Sequence, residues 1–179
     1  MSSDSTSVAS ATANAVAALA RLREALALPP SVRVLVTVAH KMIKLRKPKA
    51  GNEIASSSLR PNVLACNRLC RWVAPHSDIF HNSILEELPL ADVLKLFDVM
   101  LVSVEVKTQE NYGTGCLRFH QYCDSHSIPE KNRMPASDHL LASFVTSLAR
   151  KVAATTVQNW LAGLHFWHNL HGAPWFGHT

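Results

Sequence analysis

The sequence lacks any uninterrupted apolar run near the ~18 residues that a membrane-spanning helix needs. Residues 13–28 are rich in Ala and Leu, but Arg21, Arg23 and Glu24 interrupt them. The start of a secretory signal is missing too. Such a signal places positive charge ahead of an apolar run, whereas this chain opens MSSDSTS, with Asp4 and no Arg before position 21. Cysteine is sparse: Cys66, Cys70, Cys116 and Cys123 in 179 residues do not make a disulfide framework. Cys116 and Cys123 would lie two turns apart on one helix face, out of reach of a bond. All four are expected as reduced thiols of an intracellular protein. Acidic residues are scarce where basic ones are dense. Between Ser31 and Arg71, nine Lys and Arg face Glu53 alone, a local +8 in a chain of net charge +5. Such a patch attracts a polyanion over about a Debye length, ~8 Å at physiological salt. It reads equally well as a solvated connector.

An apolar content of 47% is globular, and the length suits one domain, or one domain plus an arm. The first half is uneven. Residues 1–12 are small and polar. Residues 13–28 space Val16, Leu19, Leu22 and Leu26 as an amphipathic helix stopped by Pro29 and Pro30. Residues 32–38 are β-branched and fit a short strand or the start of a helix through Leu45. Residues 44–61 look like a linker, and their KLRKPK run resembles a nuclear localisation signal. Leu64, Leu69, Trp72 and Val73 follow helical spacing up to Pro75, and residues 76–89 look like a loop with a short helix around Ile84–Leu88. Residues 1–89 are thus expected to form an arm, partly disordered and basic at 31–71.

The pattern sharpens from Pro89. Val93, Leu94, Phe97, Met100, Leu101 and Val104 make one broad face over 90–104. Thr108 reads as the N-cap of a helix through residue 125, with Tyr112, Cys116, Phe119 and Cys123 inward. A loop with Pro129 and Pro135 follows. Ser137 then caps a helix with Leu140, Leu141, Phe144, Val145 and Leu148 inward. The run Thr155-Thr156-Val157-Gln158 fits a capping box for a last helix, whose stripe is Val157, Trp160, Leu161, Leu164, Trp167 and His168. Gly172 and Pro174 end it. The expectation is an all-α domain of four helices over 90–174.

The ordered set resembles the core-binding (SAM-like) domain of tyrosine recombinases, the phage integrase type, over roughly Leu90 to Pro174. Thr108, Tyr112, Leu117 and Phe119 match its second helix. Pro135, Ser137, Leu141, Phe144 and Leu148 match its third, and Thr156, Val157, Trp160, Leu161, Leu164, Trp167 and Gly172 its fourth. The ending LHFWHNLHGAPW looks more like the recombinase-like proteins of fungal mobile elements. The resemblance implies a domain that holds DNA but does not cut it. In the family, the cutting residues lie in a second domain: two Arg, a Lys, His groups and a nucleophilic Tyr. Here Tyr112 and Tyr122 fall inside the second helix, and no His is followed three positions later by Arg. The position where relatives carry Arg in the last helix is His165 here.

Duplex DNA is held mainly through phosphates, by Lys, Arg, short polar side chains and helix N-termini. Lys107, Thr108 and Asn111 supply that set at the second helix, with Arg118 further along it. Arg150, Lys151, Thr155, Thr156, Gln158 and Asn159 supply it at the fourth, with His165 beyond. Gln158 and Asn159 carry the donor–acceptor pair that suits an adenine edge. Capping and surface filling explain each residue taken singly. The partner implied is double-stranded DNA, with a second copy of the chain or a recombinase catalytic subunit beside it, in the nucleus. No cofactor or metal is expected. Cys66, Cys70, His76 and His81 leave five residues between the pairs, against ~12 in a zinc finger. A helical protein-interaction module without DNA affinity is the competing class.

Overall fold

The computed structural model describes residues 47–177. The segments expected over 13–28 and 32–45 lie outside them. Six α-helices and no strand occur among the described residues. They are α1 (Ala65–Arg71), α2 (Pro75–Glu87), α3 (Leu90–Val102), α4 (Val106–Ser125), α5 (Asp138–Leu148) and α6 (Ala154–Leu170), with a 3-10 turn at Glu130–Asn132. No helix there is long and apolar enough to cross a membrane.

The expected stripes of α3 to α6 face inward. Val93, Phe97 and Leu101 are buried on α3, Cys116, Phe119 and Cys123 on α4, Leu141 and Phe144 on α5, and Leu164, Trp167 and His168 on α6. Ser137 caps α5 by accepting from Leu140 N–H at 3.2 Å. The two threonine caps do not form. The N-cap of α4 lies three residues earlier, at Glu105, and α6 starts at Ala154 behind Ala153; neither has a side-chain cap. Thr108 and Thr156 therefore sit inside their first turns.

The core does not begin at residue 90. α1 lies on α4, where Arg68 Nη1 donates to Gly113 O at 3.1 Å. It also meets the end of α6, where Trp167 Nε1 donates to Trp72 O at 2.8 Å and His171 Nε2 donates to Leu69 O at 2.9 Å. Val63, Leu69, Cys70, Trp72 and Val73 belong to the same core as α4 and α6. Residues 76–89 are not mainly loop: α2 runs from Pro75, which opens the helix at its first position, where its missing N–H costs nothing. Its buried positions are the polar Ser77 and His81, so no apolar stripe announced it.

The expected linker is also held down. Ile54 and Leu59 pack on the core, and Ala55 N–H donates to Asp124 Oδ2 at 2.7 Å. Arg60 is buried and pairs in bidentate fashion with Glu130, at 2.5 and 2.7 Å. Arg133 Nη1 donates to Asp124 Oδ1 at 2.6 Å. Removing one member of a buried pair leaves an uncompensated charge. Glu130→Ala is therefore expected to cost about 3 kcal/mol, and the double change Arg60→Met, Glu130→Ala much less. Urea unfolding of the three proteins checks this; equal losses in the single and double variants would contradict it.

Candidate nucleic-acid interface

The relative placement of α4 and α6 decides which expected residues can act together. They touch backbone to backbone. A Cβ on Gly115 would lie 2.6 Å from Trp160 Cα, and one on Gly163 would lie 2.5 Å from Tyr112 Cα. Advancing along α4 from Tyr112 to Gly115 means retreating along α6 from Gly163 to Trp160, so the two chains pass in opposite senses. The opening of α4 therefore extends toward the later part of α6, where the Tyr112 and Phe166 rings lie 5.9 Å apart. The opening of α6 extends toward the C-terminal half of α4. The two openings do not form one continuous surface.

They also differ in charge. At α4, exposed Lys107 pairs with Glu110 at 3.2 Å, and Glu105 stands at the N-cap. Thr108 is half-buried and Asn111 exposed. Two carboxylates beside one lysine make a poor phosphate seat. At α6, no acidic residue occupies the first turn. Arg150, Lys151, Thr155, Gln158 and Asn159 are exposed there, and Thr156 is half-buried. Free N–H groups at a helix start carry partial positive charge, and here two cations precede them.

Arg150 is held unusually. Lys151 N–H donates to Leu148 O at 3.0 Å, closing a tight turn with Arg150 at its third position and φ +62°. Turns of that shape normally take Gly there, because a Cβ costs about 1–2 kcal/mol in the left-handed region. Such local strain tends to mark functional positions.

Arg118 and Lys151 come together. They line one open groove of about 310 Å³ between α4, α5 and the start of α6, with Tyr122, His126, Phe144 and Trp160. Arg118 Nη1 donates to Gly51 O at 2.9 Å and to Gln121 Oε1 at 2.7 Å. Gln121 Nε2 donates to Gly51 O and Glu53 O, both at 2.9 Å. The end of the basic segment, with exposed Lys47 and Lys49, is thus fastened beside this groove. Arg118 and Lys151 are expected from the sequence, whereas the aromatic wall is not. The four-residue spacing of Tyr122 and His126 was its one signal.

His165 lies elsewhere. Its ring stacks on Trp175, with centroids 4.9 Å apart, on the edge of a cleft of about 690 Å³ between α5 and α6. Nor do the groups considered for zinc converge. Cys70 Sγ donates to Asn67 O, His76 meets Gly172 O, and His81 is buried in the core. No cluster of three or more His, Cys, Asp or Glu among the described residues is arranged to hold a metal. Burial pushes the Cys70, Cys116 and Cys123 thiols up to about 12, so they stay protonated at neutral pH. No family model, no curated protein and no solved structure matches this chain.

Proposed function

We propose that the chain binds double-stranded DNA as a tyrosine recombinase-like core-binding domain, with α3 to α6 as its four SAM-like helices and no strand-cutting group of its own. Its partners are the duplex and, in an assembly, a second copy or a catalytic subunit; its place of action is the nucleus. The observation that carries the reading is the opening of α6. Arg150 and Lys151 precede a first turn free of acid and of side-chain caps, and Arg150 keeps a Cβ where Gly would be easier. Arg118 and the basic segment anchored by it extend the same side. Lys107, Thr108 and Asn111 contribute less, because Glu105 and Glu110 accompany them.

A gel-mobility shift of a short duplex at about 50 and about 200 mM salt tests this. Each phosphate contact adds ~0.9 to the slope of log affinity against log salt. The double change Arg150→Ala, Lys151→Ala is expected to lower that slope by about 2, with at least a tenfold loss of affinity. No retention of the duplex at the lower salt overturns the proposal. Removing residues 1–46 leaves the described residues 47–177 in place and should lower the slope further; a deletion reaching α1 would cut into the core.

Arg150→Gly separates stability from binding. It relieves the left-handed Cβ and is expected to stabilise the fold by about 1 kcal/mol. It removes one phosphate contact at the same time. A variant that is harder to unfold in urea yet binds duplex with a slope lower by about 1 fits. Unchanged binding removes Arg150 from the interface.

One observation favours the protein-interaction reading. Leu96, Val99 and Val102 on α3, with Val106 at the start of α4, are exposed apolar residues. If the duplex is not retained and the chain sediments as an assembly, that reading replaces the first.

A further inference from the structure

The groove between α4, α5 and the start of α6 holds more than phosphate chemistry requires. A phosphate needs cations and donors, and Arg118 and Lys151 supply them. It has no use for flat apolar walls, yet Tyr122, His126, Phe144 and Trp160 line the same groove. His126 is the outermost plate. Its ring lies 4.1 Å from that of Tyr122 at 34°, and Nδ1 is fixed against Tyr122 O at 2.9 Å and Ser125 Oγ at 3.0 Å. Tyr122 is fixed in turn, by its hydroxyl against Ser143 Oγ at 2.6 Å and by Phe144, 5.6 Å away. One face of His126 is backed by Tyr122, and the residue is exposed. Its order is already set before any ligand arrives, so a flat ring laid on it loses little to side-chain freezing. Arg118 is similarly set. Both of its bonds to described residues run from Nη1, leaving Nη2 and Nε for a ligand. A volume of about 310 Å³ sits at the small end of ligand pockets.

We propose that this groove takes one unpaired nucleotide of DNA. Its base stacks on His126 over Tyr122, and the flanking phosphates meet Arg118 and Lys151. Aromatic stacking of a base is tolerant of sequence and adds to the phosphate term. A fully paired duplex hides its base faces and offers the phosphate term alone. The chain then prefers DNA that exposes an unpaired base, such as a single strand, a flap or a junction. This rests on the DNA-binding reading above and assigns it a preferred form of DNA.

The test uses the full chain and four probes of equal length, about 16 nucleotides: a single DNA strand, its duplex, the duplex with one unpaired base, and a single RNA strand. The single strand and the duplex with the unpaired base are expected to bind at least fivefold tighter than the plain duplex. His126→Ala, at an exposed position, is expected to abolish that advantage, with a loss of at least fivefold on the unpaired probes. Lys151→Ala is expected to weaken all DNA probes and to lower each salt slope by about 0.7 to 0.9. Equal binding of all DNA probes by the unaltered chain, or an undiminished preference in His126→Ala, overturns the groove assignment while leaving duplex binding intact. RNA bound more tightly than the DNA strand replaces the deoxynucleotide with a ribonucleotide. No binding of any probe overturns both this assignment and the proposed function.

Discussion

Acidification from about pH 7 to about pH 5 is expected to remove about 6 kcal/mol of stability through three buried histidines, with a fourth acting in the same direction, and so to unfold the domain. His81, His120, His168 and His171 are 0–4% exposed. Burial lowers His81 and His168 to about 4 and His171 to about 3, and holds His120 well below its ordinary range, with Arg60 and Arg133 adding to the effect. At His81 the Leu170 carbonyl offsets part of the burial cost, yet neither ring nitrogen makes a hydrogen bond. The sign follows from where protons bind. Between about pH 4 and 6.5 the unfolded chain takes up protons at these rings and the folded one does not. Stability is complete above about 6.5 and falls as pH drops toward the folded values. At pH 5 His81, His168 and His171 each contribute a loss of about 2 kcal/mol, about 6 in all, and His120 adds in the same direction, against a typical total of 5–15. Far-UV circular dichroism with urea at a series of pH values measures it. His81→Leu should lower the acid midpoint without weakening the fold at neutral pH, since it deletes two unpartnered buried nitrogens. A stability that stays flat from pH 7 to pH 5 rules the account out.

Adding a single methyl at the α4–α6 crossing is expected to cost about 3 kcal/mol. Gly115→Ala and Gly163→Ala would each gain roughly 1 kcal/mol of helix propensity on an open surface. Here the new Cβ falls 2.5–2.6 Å from a backbone Cα of the opposing helix. Backbone cannot rotate aside as a side chain can, so the helices must separate and the packing around Leu117, Phe119 and Leu164 loosens. The two changes strain one contact, so together they should cost clearly less than their sum. Urea denaturation of the two single variants and the double gives the answer. A stabilised Gly163→Ala protein would mean the helices stand further apart than described. Gly113→Ala should behave alike against α1, since its Cβ would run into Ala65 O.

Much of the helical content could be read from the chain, because α3 to α6 each carry an apolar face of helical period. The stripes Val93–Phe97–Leu101 and Cys116–Phe119–Cys123 face the core as the spacing requires. Three kinds of feature were hidden. α2 buries Ser77 and His81, and a polar face has no hydrophobic signature. Pro75 reads as a stop in a linear scan, but a proline serves a helix start as well. Gly113, Gly115 and Gly163 look like weak points in helices, when they are the places where helices meet. Arg60 and Arg68 looked like part of a solvated basic stretch, yet both are buried against partners distant in sequence. The grouping of the candidate interface residues was legible only in part. Arg150, Lys151, Thr155, Gln158 and Asn159 cluster because they are near in sequence. Which of Lys107 and Arg118 joins them depends on the sense in which α4 passes α6, and composition carries no trace of that.

The bonds from Arg118 and Gln121 to the Gly51–Glu53 backbone turn Lys47 and Lys49 into tethered ligands. A charge tied a few residues from an occupied surface meets its target at millimolar effective concentration, whatever its own affinity. Weak lysine contacts thereby become intramolecular events that a polyanion must break in concert to leave. On the proposed DNA-binding reading, Lys47 and Lys49 then lengthen the stay of the protein on a duplex already held at Arg118.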